Sequence, residues 1–76
     1  MMRNVIKFAA LEYAADELGR DIDVVDCIDH GTEALVLCKS NDDQEDFALH
    51  IIASAYGWRV VNECGVEDFA RNKNTH

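Results

Sequence analysis

Residues 40–61 read SNDDQEDFALHIIASAYGWRVV, and the fold turns on how this run is divided. Ser40 or Asn41 can accept hydrogen bonds from the free amides of a first helical turn, and Asp42, Asp43, Glu45 and Asp46 would place negative charge where a helix dipole favours it. Phe47, Ala48, Ile51, Ile52 and Ala55 recur at three- and four-residue spacing, while Glu45, Asp46, His50 and Ser54 fall away from that stripe. Gly57 can close a helix in the left-handed conformation, and residues 58–61 alternate as a strand does. The run therefore predicts a cap, a helix, a stop and a strand.

Upstream, residues 4–18 predict a first helix, with Val5, Phe8, Ala9, Leu11, Ala15 and Leu18 on one side, Asn4 as its cap and Gly19 as its stop. Residues 22–29, IDVVDCID, and 33–39, EALVLCK, are β-branched and alternating, and they flank His30-Gly31; they predict a hairpin. A loop of two or four residues sets Ile22, Val24 and Ile28 beside Leu35 and Leu37 as the core face. The other face, with Val25, Cys27, Ala34, Val36 and Cys38, is apolar enough to need a cover: a helix, a second subunit or a target. Asp26 then points towards the core side, as an edge strand permits. Downstream, Trp58 and Val60 face the core, Gly65 ends the strand, residues 66–72 form a short helical turn, and 74–76 fray. The expected fold is one small α+β domain over residues 1–76. It has a three-stranded antiparallel sheet and two helices in the order α-β-β-α-β, plus a short C-terminal helix.

Seventy-six residues at 49% hydrophobic and 29% charged suit a soluble globular chain with a thin core. No apolar run reaches the roughly 18–20 residues of a membrane span, and no signal peptide is recognisable, so the expected location is the cytoplasm. The net charge is −8, and residues 12–29 carry −6 of it, seven acids against Arg20 alone. Such a chain repels nucleic acid and is drawn to basic surfaces, which disfavours direct DNA or RNA binding.

Cys27, Cys38, Cys64, His30, His50 and His76 invite a zinc reading, but only Cys27 and His30 are closely spaced, and structural zinc sites bring ligands as close pairs. No metal or other cofactor is expected. Three cysteines without a secretory signal do not make a disulfide framework. Cys27, Asp29 and His30 can be written as a nucleophilic triad, yet neighbours on a strand point to opposite faces. The acids at 42–46 lack the spacing of a calcium loop, and no glycine-rich phosphate loop or nucleophile elbow occurs. No catalytic residue is assigned, and the chain is not read as an enzyme. The acids upstream are different: Asp21 and Asp23, two apart on a strand, would lie about 6.6–6.8 Å apart on one side, a spacing that resembles successive phosphates. Glu12 and Asp16 are helical neighbours. Glu12, Asp16, Asp21, Asp23, Asp26 and Asp29 are the candidate partner-binding residues.

The segment LVLCKSNDDQEDFALHIIASAYGWRVV, residues 35–61, about a third of the chain, resembles the strand, polar cap, helix and Gly-Trp-x-Val strand of several very small acidic phage proteins. These inhibit host machinery and include anti-CRISPR proteins and inhibitors of bacterial RNA polymerase. The resemblance implies binding without catalysis, in a host cytoplasm, to a basic, nucleic-acid-handling complex. The expected function is thus that of an acidic inhibitor whose anionic surface, mimicking nucleic acid, blocks a basic site. The alternative is a homodimeric structural or regulatory module joined through the apolar sheet face.

Overall fold

A computed structural model describes residues 2–74. Helix α1, Asn4–Tyr13, widens into a single π-helical stretch, Ala14–Leu18, which Gly19 closes at φ 62°. Four strands follow, β1 (Ile22–Asp29), β2 (Glu33–Ser40), β3 (Phe47–Ser54) and β4 (Gly57–Cys64), and helix α2 (Val66–Lys73) ends the fold. The sheet runs β1-β2-β3-β4 with every neighbour antiparallel. The protein is therefore α+β, with two helices and four strands where three strands were expected. The fraying expected for residues 75–76 lies outside the described residues; Asn74 caps α2, its N–H donating to the Ala70 carbonyl at 3.1 Å.

The added strand is the run that the spacing assigns to a helix. Phe47–Ser54 is β3, paired on both sides, Val36 opposite Leu49 and Leu49 opposite Glu63. Phe47, Leu49 and Ile51 are buried on one face and Ala48 is buried on the other. A central strand covered on both faces shows a nearly continuous apolar run, and an eight-residue run of that kind fits a strand as well as a helix. The acids before it cap no helix. Asp46 accepts the Ser40 N–H at 3.0 Å and Asp42 the Gln44 N–H at 3.0 Å, so they shape the β2–β3 loop. Gly57 stops no helix either; at φ 114° it closes the β3–β4 hairpin, where the Ser54 hydroxyl donates to the Gly57 carbonyl at 2.6 Å. The pattern behind the phage-protein resemblance is thus strand, loop, strand, strand.

The hairpin faces are also exchanged. Near the turn Ile28 lies opposite Leu35, as an even loop requires, but a bulge between Val24 and Asp26 shifts the register and leaves Val24 opposite Cys38. Ile22 and Val24 consequently join Ala34, Val36 and Cys38 beneath α1, and it is this face that forms the main core. Ile28, Leu35 and Leu37 face the other way, towards α2, whose Phe69 is buried. Along α1 and the π-helical stretch the buried residues are Ile6, Ala10 and Ala14, one every four, and none belongs to the expected stripe: Val5 and Phe8 stand 53% and 58% exposed and Ala15 is exposed, while Ala9, Leu11 and Leu18 are half-buried. Two small alanines let the helix settle close to the sheet, and this turns the larger Phe8 out to the flank. No side chain caps α1; Arg3, rather than Asn4, is its N-cap residue.

Arg20 ties the two ends of this layer together. Its guanidinium lies 4.4 Å from the centre of the Phe47 ring, donates to the Glu45 carbonyl at 2.7 Å and also donates to the Ser40 hydroxyl. No helix among the described residues is long and apolar enough to cross a membrane.

Candidate functional site: an acidic flank beside the first helix

The six acids singled out by the sequence fall into two sets. Asp29 and Asp26 belong to strand β1 and hold cations. Arg3 donates twice to the Asp29 carboxylate, at 2.7 and 2.8 Å, and once to the Gly31 carbonyl at 2.8 Å, while its guanidinium sits 4.9 Å from the centre of the Trp58 ring. The Arg3 bonds, with the Gly31 N–H, hold the Asp29 carboxyl below its ordinary range, and Asp29 in turn raises Arg3. Asp26 pairs with Lys73 of α2 and accepts the Cys27 N–H at 2.8 Å; the Lys73 bond is the larger cause of its lowered pKa. Asp26 therefore faces α2, on an edge strand.

Glu12, Asp16, Asp21 and Asp23 form the other set. All four are exposed, and none makes an ion pair among the described residues. Glu12 and Asp16 stand one turn apart on the flank of α1 and line a cleft of about 420 Å³ between that helix and Trp58, Arg59 and Val60 of β4. Asp21 precedes β1, where its carbonyl accepts the Asn41 N–H at 3.0 Å, and Asp23 lies opposite Lys39. Glu12 and Asp16 thus lie on the helical layer beside β4, whereas Asp21 and Asp23 belong to the start of β1, the outer strand at the other end of the sheet order.

The cleft continues towards the N-terminus of α1 as a shallower groove of about 290 Å³, with Val5, Phe8 and Ala9 on the helix side and Gly57 and Trp58 on the strand side. Sequence reasoning missed this groove because it placed Phe8 in the core. The available signal was the four-residue recurrence of Ile6, Ala10 and Ala14, which leaves Phe8 on another face of the helix.

The histidines and cysteines assemble differently. Cys38 is buried, its S–H is 3.8 Å from the Val36 carbonyl, and burial pushes its pKa up to about 12. Burial also raises Cys27 and Cys64, so none of the three thiols is activated. Asp29 is held by Arg3 and by the Gly31 N–H, and His30 is near enough to lower its carboxyl further. Cys27 lies opposite Val36 and Cys38 opposite Val24; the two cysteines share the α1 face without being cross-strand partners. His50 is on β3, not on a helix, with its Nε2 3.9 Å from Glu33, and it opens into a polar cleft of about 230 Å³ with His30, Asn62, Cys64 and Asn72. Among the described residues no group of three or more His, Cys, Asp or Glu side chains is placed to hold a metal ion.

The chain matches no protein-family model, no curated protein sequence and no solved structure.

Proposed function

We propose that this chain is a small acidic binding protein that acts without catalysis, occupying a Lys/Arg-lined nucleic-acid site on a larger complex and so inhibiting it. The observation that carries the proposal is the state of the four acids: Glu12, Asp16, Asp21 and Asp23 are exposed and make no ion pair among the described residues, whereas Asp26 and Asp29 hold cations of their own chain. Carboxylates without an internal partner present their full charge to a basic surface, and their attraction falls with salt. The role we assign is that of an inhibitor of the kind encoded by phages or other mobile elements, acting in the cytoplasm of the host. The test is affinity capture from a nuclease-treated bacterial lysate. A nucleic-acid-handling complex should be retained at low salt, released by salt, and lost by a variant carrying Asp21→Asn and Asp23→Asn with Glu12→Gln and Asp16→Asn. Retention that neither salt nor these substitutions alter would defeat the proposal.

The alternative, a homodimeric module joined through the apolar sheet face, has less support: Ala34, Val36 and Cys38 of that face are each no more than 1% exposed, packed beneath α1.

A further inference from the structure

We propose that the flank between α1 and β4 is a docking groove for an extended basic segment of a partner protein, which adds to β4 as a fifth strand. This rests on the reading that Glu12 and Asp16 attract a basic partner, and it specifies how that partner is held. β4 is an outer strand, so its outer backbone edge has no strand partner among the described residues. The pairing of β4 with β3 is regular over residues 57–60, and the register shift falls only beyond Val60. A segment laid along that edge would send every second side chain towards α1.

The spacings agree. Residues two apart on a strand are about 6.6–6.8 Å apart, and Phe8 and Glu12, four apart on α1, advance by about 6 Å, with Asp16 following in the wider π-helical stretch. Three alternate side chains of the added strand would therefore meet Phe8, Glu12 and Asp16 in succession. The first of these positions is apolar, since Val5 and Phe8 are exposed there beside Trp58. The next two are acidic, and Glu17 reinforces them; along this cleft three carboxylates face one guanidinium, that of Arg59. β4 runs in the same direction as α1 along the groove, from Gly57 beside Val5 and Phe8 to Val60 beside Asp16. An antiparallel addition, the arrangement of the whole sheet, thus calls for a segment with Lys or Arg, then Lys or Arg, then a large apolar residue, at alternate positions from its N-terminus. A second copy of this chain fits poorly. Antiparallel pairing of two β4 edges would bring both α1 flanks to one side and set their acids against each other, on chains of net charge −8.

Trp58 is the sole tryptophan and lines the groove, so its fluorescence reports occupancy. The probe is a capped nine-residue peptide in which two lysines and then a leucine occupy alternate positions between threonines. The expected result is a saturable change in Trp58 emission. It should weaken at least tenfold when the alternation is scrambled, when proline replaces the central threonine, with Phe8→Ser, and with Glu12→Gln plus Asp16→Asn. Phe8 is exposed, so Phe8→Ser should keep its melting temperature; Val5→Ser serves as a second variant if it does not. No saturable change, or equal binding of the proline peptide, overturns the inference, as does self-association in light scattering that Phe8→Ser abolishes. If the peptide fails while lysate capture still depends on Glu12 and Asp16, only the groove inference falls; if capture fails as well, both fall.

Discussion

Leu49→Ala separates the strand from the helix that the spacing of residues 47–55 suggests. On a helix, Leu49 lies off the stripe of Phe47, Ala48, Ile51, Ile52 and Ala55, and its truncation would cost little. On β3 it is fully buried, opposite Val36 and in one cluster with Ile6, Ala10 and Ile51. Leu→Ala at such sites costs about 2.7–5 kcal/mol, the loss of transfer energy plus a cavity that the neighbours only partly fill. A chain of 76 residues has a stability of about 4–11 kcal/mol, so roughly half of it would be lost. At about 4–8 °C per kcal/mol, the melting temperature should fall by about 11–40 °C. Ile52 provides the control: only half-buried, on the α2 side, it should cost about 1–2 kcal/mol when cut to alanine. Urea titration followed by Trp58 fluorescence measures both. An Ile52→Ala cost that exceeds that of Leu49→Ala, or a Leu49→Ala cost below about 1 kcal/mol, would refute the strand assignment.

Three further outcomes follow from particular contacts. The carboxyls of Asp26 and Asp29 are lowered in the folded state, so their stabilisation is complete above the ordinary carboxyl range near pH 4 and is lost as pH falls through their lower folded values. Thermal melts should therefore show Lys73→Ala destabilised at pH 7, by less than about 1 kcal/mol for a solvent-screened pair, with the difference from wild type closing towards pH 2. Cys38, buried with its pKa pushed up to about 12, should resist a thiol reagent at pH 8 in the native protein and react on unfolding; labelling at a rate equal to that of Cys27 or Cys64 would count against the packing. Gly57→Ala forces a β-carbon into φ 114° and should cost about 1–2 kcal/mol in the same urea titration, although open space surrounds the site.

How much was legible before the fold was known depended on whether a segment obeyed one period. β1 and β2 alternate, and Gly31 marks their turn, so both strands emerged within a residue of their observed bounds. The faces of that hairpin were not readable, because a bulge beside Val25 moves Ile22 and Val24 to the opposite side from Ile28, and the sequence carries no separate mark of it. Residues 47–54 satisfied the helical spacing because a strand buried on both faces need not alternate. The acids at 42–46 then reinforced the error by resembling a cap, when Asp46 instead holds Ser40. In the candidate site, all six acids were visible as an acid-rich stretch. Their division was not, since the cations that hold Asp29 and Asp26 come from Arg3 and from Lys73, 26 and 47 residues away in the chain. The apolar half of the groove was hidden for a related reason: Phe8 looks like a core residue until the small face of α1 is recognised.

The proposed inhibition requires Glu12, Asp16, Asp21 and Asp23 to occupy the place of nucleic acid on a basic partner. It is tested most directly by competition on the complex recovered by capture, with a fluorescently labelled nucleic acid bound to that complex and its anisotropy followed as this protein is added. Full displacement is expected at one molecule per site, and none by the variant with Glu12, Asp16, Asp21 and Asp23 neutralised. A ternary complex in which the nucleic acid stays bound, or equal displacement by the neutralised variant, would contradict it.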